Sequence, residues 1–302
     1  MTAQVWIDSG NQRWQPSVAV LIPVFNEAER IHLVETLTQK LCAAFAERED
    51  QVAIVYVNDA STDETEGLLQ QMIAHQQQNQ GPCQQGKIRL SQIVLPANTR
   101  KAGIYCVARQ QIVADYYLFI DADDSFAIAD AMHILQVARR NQYDLVVGQK
   151  PVANENTAWV RAAIRFLNRL LSKPLLPAGI TDSQTGLKVF HRHVVEAAFV
   201  GVKAQHGFTA DLVVLYAAKQ LGFRAYNYSV QCINRDLSHV NILPDSIHHL
   251  QVIVALYLTA LVNVQQTALS LLSSCVKPDS YVARRTTHWE RRSIDQEGIA
   301  QL

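Results

Sequence analysis

The sequence predicts an α/β protein with a doubly wound, mostly parallel sheet and a helical extension at its C-terminal side. Between Val18 and Gly148, short apolar runs alternate with longer amphipathic segments. The runs are rich in β-branched and aromatic residues, as is typical of strands that helices cover on both faces. Regular alternation of strand and helix indicates right-handed parallel connections. The chain has 302 residues, 49% of them hydrophobic, which is enough to bury a large core.

Five strands are predicted in the first half of the chain, each followed by a polar turn. They cover residues 18–25, 52–58, 88–96, 116–122 and 144–149. The second half predicts helices over residues 157–173, 209–222 and 245–274, and a strand over residues 223–231. We therefore divide the chain into an N-terminal extension (1–16), a main domain (17–244), a helical segment suited to a membrane surface (245–276) and a polar tail (277–302).

Composition limits the classes of function. Lysines and arginines number 27, as do aspartates and glutamates, so nucleic-acid binding is not favoured. The five cysteines follow no metal-binding spacing and are predicted to be reduced thiols. The N-terminal residues lack the features of a signal peptide, and the apolar run at 250–264 is shorter than the roughly twenty residues that span a bilayer. We expect a cytoplasmic protein, with peripheral contact at the inner face of the membrane.

Polar side chains follow each of the first four predicted strands. Because ligands bind at the carboxyl ends of the strands in open α/β sheets, we expect these side chains to form one site. Each also has an alternative role in a turn or a helix cap, which Asn, Asp, Ser and Thr favour. In strand order they are Asn26 and Glu27; Asn58 and Asp59; Asn98, Arg100 and Lys101; and Asp121 and Asp123.

The segment "FIDADDS" places two carboxylates, Asp121 and Asp123, directly after the fourth strand. Such a pair offers oxygen ligands to Mg²⁺ or Mn²⁺, and the cation would carry a diphosphate. Neither a GxGxxG turn nor a P-loop occurs that could bind phosphate instead. The alternative is a helix cap, which is the role that we predict for Asp124 and Ser125.

Five motifs occur in the order and approximate spacing of family 2 glycosyltransferases with the GT-A fold. They are "VAVLIPVFNEAERI", "VNDASTDET", "IDADDS", "DSQTGLKVFHR" and "GFTADLVVLYAAKQLGFR". The resemblance covers roughly residues 17–245. More narrowly, the chain resembles the branch that makes dolichyl- or polyprenyl-phosphate sugars, and within it most resembles dolichyl-phosphate β-glucosyltransferase.

The resemblance implies a donor site at the edge of the sheet. Asp59 would bond the nucleobase, because a carboxylate accepts the imino N–H of uracil or guanine. Asp123 would bind the metal, and Asp121 would share the ion or approach the donor ribose. Lys101 would lie near the donor phosphates, although the family's Asn-x-Gly-Lys-Gly reads "NTRKAG" here, and Ser125 replaces the Gln of Asp-Ala-Asp-Leu-Gln. The nucleoside pocket would be lined by Pro23, Asn26 and Glu27.

The resemblance also implies an acceptor site in and around "ITDSQTGLKVFHR", with Asp182 beside the reacting sugar. Asp182 would be a general base if the acceptor is a hydroxyl, which must lose a proton. A lipid phosphate is already an anion and needs only cationic positioning. Asp211 stands near an acidic residue of the relatives, and helix-start electrostatics is its alternative role. The implied acceptor-binding residues, for which an exposed surface is the alternative, are Arg161, Arg165, Gln184, Lys188, Ser238 and His239.

These features together predict an inverting glycosyltransferase that uses a divalent cation. It would move a hexose, glucose, from UDP-glucose to a polyprenyl or dolichyl phosphate. UDP-glucose is preferred over GDP-mannose because "DSQTGLKVF" resembles the dolichyl-phosphate glucosyltransferase branch. Two alternatives stay open: the same fold acting on a soluble or saccharide hydroxyl acceptor, and a nucleotide-sugar-binding protein without catalysis. A metal-dependent nucleotidyltransferase is a weaker third interpretation.

Overall fold

The computed structural model describes residues 15–78, 87–149, 167–231 and 248–262. Within these ranges the chain forms a seven-stranded sheet with the strand order β3-β2-β1-β4-β6-β5-β7. The predicted extension (1–16) and tail (277–302) lie outside the described residues, apart from residues 15 and 16. The strands are β1 (Val18–Val24), β2 (Val52–Asn58), β3 (Ile88–Val94), β4 (Tyr116–Phe119), β5 (Leu145–Gln149), β6 (Lys188–His191) and β7 (Ala225–Ser229).

Helices cover both faces of the sheet. One buried apolar cluster joins the sheet to α1, α2 and α4, and a second joins the opposite face to α3, α6 and α7. This layering confirms the predicted α/β class. The helices are α1 (Ile31–Ala46), α2 (Thr65–Gln78), α3 (Lys101–Gln111), α4 (Ile128–Asn141), α5 (residues 167–172), α6 (Arg192–Ala198), α7 (Ala210–Gln220) and α8 (residues 248–262).

The sheet is mostly parallel, as predicted, but β6 runs the other way. Strand β1 pairs in parallel with β2 and β4, β2 with β3, and β5 with β7. Strand β6 pairs antiparallel with both β4 and β5. It lies inside "ITDSQTGLKVFHR", where the sequence predicts no strand. A strand of four residues is too short to leave a clear pattern in the sequence. Val189 and Phe190 are completely buried. Strand β6 therefore forms because it pairs with β4 and β5, which are distant in sequence.

The prediction that Asp124 and Ser125 cap the helix after β4 is wrong. Helix α4 begins at Ile128, and Ala127 occupies its N-cap position without a side-chain hydrogen bond. Asp124 instead turns away with a φ of 53° and pairs with Lys40 of α1 at 2.7 Å. Asp and Asn tolerate this left-handed conformation better than other non-glycine residues, so the chain can turn sharply here.

The prediction that all five cysteines are reduced is wrong for Cys42, which is disulfide-bonded. Cys42 is buried on α1 and belongs to the same apolar cluster as Val34 and Leu37. Cys106 on α3 is a free, partly buried thiol, as predicted.

Candidate active site

Polar side chains from four strand ends meet at one edge of the sheet. Hydrogen bonds join the loop after β1 to the loop after β2, and the loop after β2 to the loop after β3. An ion pair joins the start of α3 to the end of β4. The antiparallel strand β6 begins at the same edge, because Lys188 is in register with Phe119 of β4. The edge that the sequence predicts is therefore formed by a contiguous set of loops.

Each of the first four strands is followed by a non-glycine residue in the left-handed region. These residues are Asn26 after β1 (φ 52°), Ala60 after β2 (φ 57°), Arg100 after β3 (φ 56°) and Asp124 after β4 (φ 53°). Such conformations cost about 1–3 kcal/mol and cluster at functional sites. Four of them at one edge indicate that the surrounding contacts hold these loops in place.

The loop after β1 is held by hydrogen bonds to the loop after β2 and to the first residue of α2. The Thr62 N–H donates to Asn26 Oδ1 at 2.9 Å, and the Asn26 N–H donates to Ser61 Oγ at 3.0 Å. The Glu27 N–H donates to Thr65 Oγ1 at 2.7 Å. The predicted nucleoside-pocket residues Asn26 and Glu27 thus lie together, with their backbone fixed by the segment that follows β2.

Glu27 has an acidic neighbourhood. Its side chain is only 12% exposed and forms an ion pair with Arg30 at 2.8 Å. Burial raises the pKa of Glu27 from 4.5 to about 7; Arg30 opposes the shift, and the negative charges of Asp123 and Asp63 add to it. The carboxyl group therefore lies close enough to Asp123 to respond to its charge.

Asp59 holds the loop that leads into α3. Its Oδ1 accepts hydrogen bonds from the Thr99 N–H at 2.7 Å and the Thr99 hydroxyl at 2.9 Å, and its Oδ2 accepts from the Arg100 N–H at 2.5 Å. A carboxylate has about four acceptor sites, so one remains for a nucleobase. The base contact implied by the resemblance stays a prediction, and Asp59 also orders this loop.

Four charged side chains form a chain beneath the edge of the sheet. Lys101 Nζ lies 3.6 Å from Asp121 Oδ1 and 3.9 Å from Asp211 Oδ2. Asp211 Oδ1 accepts from Lys188 Nζ at 2.7 Å and from the Tyr105 hydroxyl. Two ammonium groups are thereby matched to two carboxylates. The sequence predicts Lys188 as an acceptor ligand, and in the structure it is buried and faces Asp211 and the Thr185 carbonyl.

The two lysines respond differently to this arrangement. Burial opposes the charge of Lys101, but the nearby carboxylates of Asp121 and Asp211 outweigh it and raise the pKa of Lys101 above its ordinary range. Burial dominates at Lys188 and lowers its pKa, although Asp211 opposes the shift. Of the two lysines, Lys101 therefore holds its proton more strongly.

Gly186 makes room for the carboxylate of Asp121. A Cβ atom on Gly186 would lie 1.8 Å from Asp121 Oδ2 and 2.1 Å from its Cγ. No side chain fits at that separation, so the loop before β6 approaches the end of β4 only because residue 186 is glycine. The segment implied as an acceptor loop therefore also packs directly against Asp121.

Asp123 is oriented by the residue that replaces the family's Gln. The Ser125 N–H donates to Asp123 Oδ1 at 3.1 Å, and the Ser125 hydroxyl donates to the same oxygen. Both contacts leave the second oxygen, Oδ2, for a cation. Ser125 itself is buried, so it acts through Asp123.

The donor set fits a divalent cation that is shared with a substrate. No group of three or more His, Cys, Asp or Glu side chains suited to a metal occurs in the part of the chain that the structure describes. Asp121 and Asp123 can supply two carboxylate ligands. Mg²⁺ and similar hard cations are commonly held by one or two carboxylates plus substrate phosphates, so this pair is sufficient.

The implied acceptor residues are only partly described. Asp182 is half-buried, and its Oδ1 accepts from the Gln184 N–H at 2.8 Å, while Gln184 is exposed. Pro23 lines a small cavity together with Lys101 and Asp121. The remaining predicted residues, Arg161, Arg165, Ser238 and His239, lie outside the described residues.

The sequence predicts no contact with donor, metal or acceptor for three residues of this site: Tyr105, Gly186 and Asp211. Tyr105 reads as one more apolar position of an amphipathic helix. Gly186 sits in a polar loop where glycine is ordinary. Asp211 has helix-start electrostatics as a sufficient explanation, and the structure indeed places it in the first turn of α7. Only the proximity of α3, α7 and β6 brings them to one point.

Residues 19–199 match the Glycosyl transferase family 2 domain. Two curated relatives are undecaprenyl-phosphate 4-deoxy-4-formamido-L-arabinose transferases. The protein from Photorhabdus laumondii is 23% identical over 70% of this chain, and that from Serratia proteamaculans is 24% identical over 70%. The chain spans 63% of the length of each.

Solved structures share the fold at low sequence identity. Glucosyl-3-phosphoglycerate synthase from Mycobacterium tuberculosis, in complex with Mn²⁺ and UDP-glucose, aligns with a TM-score of 0.54 at 15% identity, over 89% of this chain and 82% of that one. Mannosyl-3-phosphoglycerate synthase from Rubrobacter xylanophilus aligns with a TM-score of 0.52 at 15% identity, over 79% and 73%. The likeness confirms the predicted GT-A fold. The domain match covers more than half of the chain, and the protein therefore belongs to glycosyl transferase family 2.

Proposed function

We propose that this glycosyltransferase moves glucose from UDP-glucose to a polyprenyl or dolichyl phosphate, with inversion at the anomeric carbon. The observation that carries the proposal is the pairing of Lys101 with Asp121 at the end of β4, inside the family 2 domain. A divalent cation bound by Asp121 and the ammonium of Lys101 would both attract the negatively charged diphosphate of a nucleotide sugar. The polyprenyl acceptor is supported by the names of the two curated relatives.

On the donor side, Asp121 and Asp123 would hold Mg²⁺ or Mn²⁺. The bound cation would neutralise the departing diphosphate. Lys101 adds a second positive charge at the same place, and Pro23, Asn26, Glu27 and Asp59 surround the nucleoside. The M. tuberculosis structure, which contains both Mn²⁺ and UDP-glucose, supports this choice of cation and donor.

On the acceptor side, a phosphate oxygen would attack the anomeric carbon while the bond to the UDP oxygen breaks. The phosphate is an anion, so no proton has to be removed and no base is required. Asp182 would then position the sugar and Gln184 would face the acceptor from the exposed part of the loop. Cationic residues for the phosphate are proposed at Arg161 and Arg165, and polar ones at Ser238 and His239. Lys188 is buried against Asp211, so the acceptor role that the resemblance implied for it is not carried into the proposal.

An apolar surface suits a lipid acceptor. Leu250, Val254, Leu258 and Leu261 recur at helical spacing on α8 and are 39–60% exposed, whereas Ile253 and Leu256 face the core. Leu167 and Leu170 of α5 are also exposed, and the Tyr257 hydroxyl bonds α8 to the Leu171 carbonyl. No helix within the described ranges is long and apolar enough to cross a bilayer. We propose that this α5–α8 surface contacts the inner face of the membrane peripherally.

Membrane contact predicts that charge on this surface weakens lipid binding. The double variant Leu258→Glu, Leu261→Glu should lose most of its flotation with anionic phospholipid vesicles, because carboxylates resist transfer into the interface. Val94→Glu, at an exposed apolar position on the edge strand β3, is the control. Equal flotation of both variants would contradict the proposal.

Nucleotide binding tests the donor half directly. UDP with Mn²⁺ should raise the melting temperature more than GDP with Mn²⁺, because a ligand that binds the native state stabilises it by mass action. A transfer assay with UDP-[¹⁴C]glucose and undecaprenyl phosphate should then give a labelled lipid. Absence of any shift with either nucleotide would overturn the function, and a shift without transfer to any acceptor would favour a binding protein that lacks catalysis.

A hydroxyl acceptor is the second candidate, because Asp182 is a carboxylate near Lys101 that could serve as the base. Burial lowers the pKa of Lys101, and the charges of Asp121, Asp211 and Asp182 together outweigh that effect and raise it. Asp182→Asn distinguishes the two acceptors. A base-dependent transfer to a hydroxyl should lose nearly all turnover, about 10²–10⁴-fold, while transfer to a phosphate should keep a substantial part.

A further inference from the structure

Asp211 is almost completely buried, with 2% of its side chain exposed, and the sequence predicts no substrate contact for it. Its Oδ1 is fully engaged by Lys188 of β6 and by Tyr105 of α3. Its Oδ2 makes no hydrogen bond within the described residues and points toward Lys101 at 3.9 Å. The carboxylate thus has one oxygen fixed by the fold and the other directed at a residue of the donor site.

Lys101 is shared between two carboxylates at nearly equal distances. Its Nζ lies 3.6 Å from Asp121 Oδ1 and 3.9 Å from Asp211 Oδ2, both longer than a direct hydrogen bond. All three side chains line one small cavity with Gly186 and Thr185. If Asp211 were neutral, Asp121 would be the nearest charged partner left for this ammonium, and the two would close to contact.

A divalent cation that binds Asp121 has to compete with Lys101 for that carboxylate. Asp211 provides the ammonium with a second partner a few tenths of an ångström farther away. We propose that Asp211 is a positioning residue which holds Lys101 off Asp121 and so keeps Asp121 available to the cation. This inference rests on the proposed function, in which Asp121 is a metal ligand.

The alternative is that Asp211 only balances the buried charge of Lys188. Both roles predict that Asp211→Asn destabilises the fold, since Lys188 would remain buried without a counter-charge. The double variant Asp211→Asn, Lys188→Met separates them. It removes one charge of each sign, so it should recover stability, but it leaves Asp121 as the nearest charged partner of Lys101.

The experiment is a titration with Mn²⁺ alone, followed by the electron paramagnetic resonance signal of the free ion, on the full chain. The Mn²⁺ dissociation constant should rise at least about tenfold in Asp211→Asn, because a charge within about 4–6 Å shifts an ionic equilibrium by about one to three decades. It should stay raised in the double variant, while the melting temperature recovers. Asp50→Asn is the control. Asp50 lies outside the site and forms an ion pair with Arg139 at 2.7 Å, so this variant should lose stability and leave Mn²⁺ binding unchanged.

The outcomes are distinguishable. Full recovery of Mn²⁺ affinity in the double variant would show that net charge alone matters and would overturn the inference. Unchanged affinity in Asp211→Asn, or no Mn²⁺ binding by the unmodified protein, would also overturn it. UDP binding is measured separately: if Mn²⁺ affinity behaves as expected and UDP does not bind, the proposed function fails and the positioning role stands.

Discussion

The two halves of the sheet hold their parts of the site in different ways. In the parallel half, β3-β2-β1-β4, the loops are tied to one another by hydrogen bonds such as Asn26 with Thr62 and Asp59 with Thr99. In the half that contains β6, the buried ion pair of Lys188 and Asp211 joins the elements. Substitutions in the first half should therefore change binding at modest cost in stability, whereas those in the second half should change both.

The largest expected effect is on activity and concerns the parallel half. Asp123→Asn should lower transfer about 10³-fold, because in the proposed function the cation would contribute several kcal/mol of charge stabilisation and Asp123 Oδ2 would bind it. Its melting temperature should hardly change, since Ser125 can still donate to the amide oxygen. The measurement is kcat/KM at saturating Mn²⁺, with Asp130→Asn on α4 as the matched control. Full activity of Asp123→Asn would refute the metal assignment.

A second effect tests the acidic neighbourhood of Glu27. A carboxyl group whose folded pKa is raised from 4.5 to about 7 binds its proton more tightly in the folded state. Stability should therefore fall as pH rises through that window, by on the order of 3 kcal/mol in total. Glu27→Gln should remove most of this slope in metal-free buffer.

Urea denaturation at pH 5 and pH 8 measures that slope. Glu196→Gln, an exposed carboxylate paired with Arg192, is the control and should keep the slope of the unmodified protein. If Glu27→Gln shows the same pH dependence as the control, the burial of Glu27 next to Asp123 has been misassigned.

The contact between the two halves gives a third prediction. Gly186→Ala should cost about 1–3 kcal/mol, because its Cβ would overlap Asp121 and force the loop or the carboxylate to move. Mn²⁺ binding should weaken with it. Gly67→Ala is a control of opposite sign: nothing lies within 4 Å of that Cβ on α2, so better helix propensity should add up to about 1 kcal/mol.

Equilibrium unfolding and Mn²⁺ titration of both variants check this contact. Loss of stability in Gly186→Ala with unchanged Mn²⁺ affinity would mean that the loop before β6 moves and Asp121 does not. The two halves would then be coupled through packing alone.

The parallel half could be predicted closely from the sequence because its signals are local. Apolar runs mark β1, β2 and β4. These strands are parallel, so the polar residues that follow them lie at the same edge of the sheet. The second half depends on distant contacts. Four residues are too few to mark β6 as a strand, and Lys188 reads as a surface cation until Asp211, 23 positions later, is placed beside it. The cap predicted at Asp124 failed for the same reason, since Lys40 is its partner.

The smallest expected effect concerns the strained backbone of Arg100 in the parallel half. Arg100 occupies the position where the family's Asn-x-Gly-Lys-Gly has its first glycine, and its backbone takes a conformation, φ 56° and ψ −141°, that only glycine adopts easily. Its guanidinium lies 4.7 Å from the centre of the Phe208 ring. Relief of about 1–3 kcal/mol of strain should exceed the loss of that contact, worth about 0.5–1 kcal/mol when exposed.

Arg100→Gly should therefore raise the free energy of unfolding by about 1 kcal/mol, after the entropic cost of glycine is subtracted. Arg100→Ala keeps the strain and loses the ring contact, so it should be less stable than the unmodified protein by about 0.5–1 kcal/mol. The two variants remove the same side-chain charge, and urea denaturation of both isolates the backbone contribution. Equal stability of the two would show that the loop relaxes around residue 100, and that the bonds from Asp59 do not hold it in the strained form.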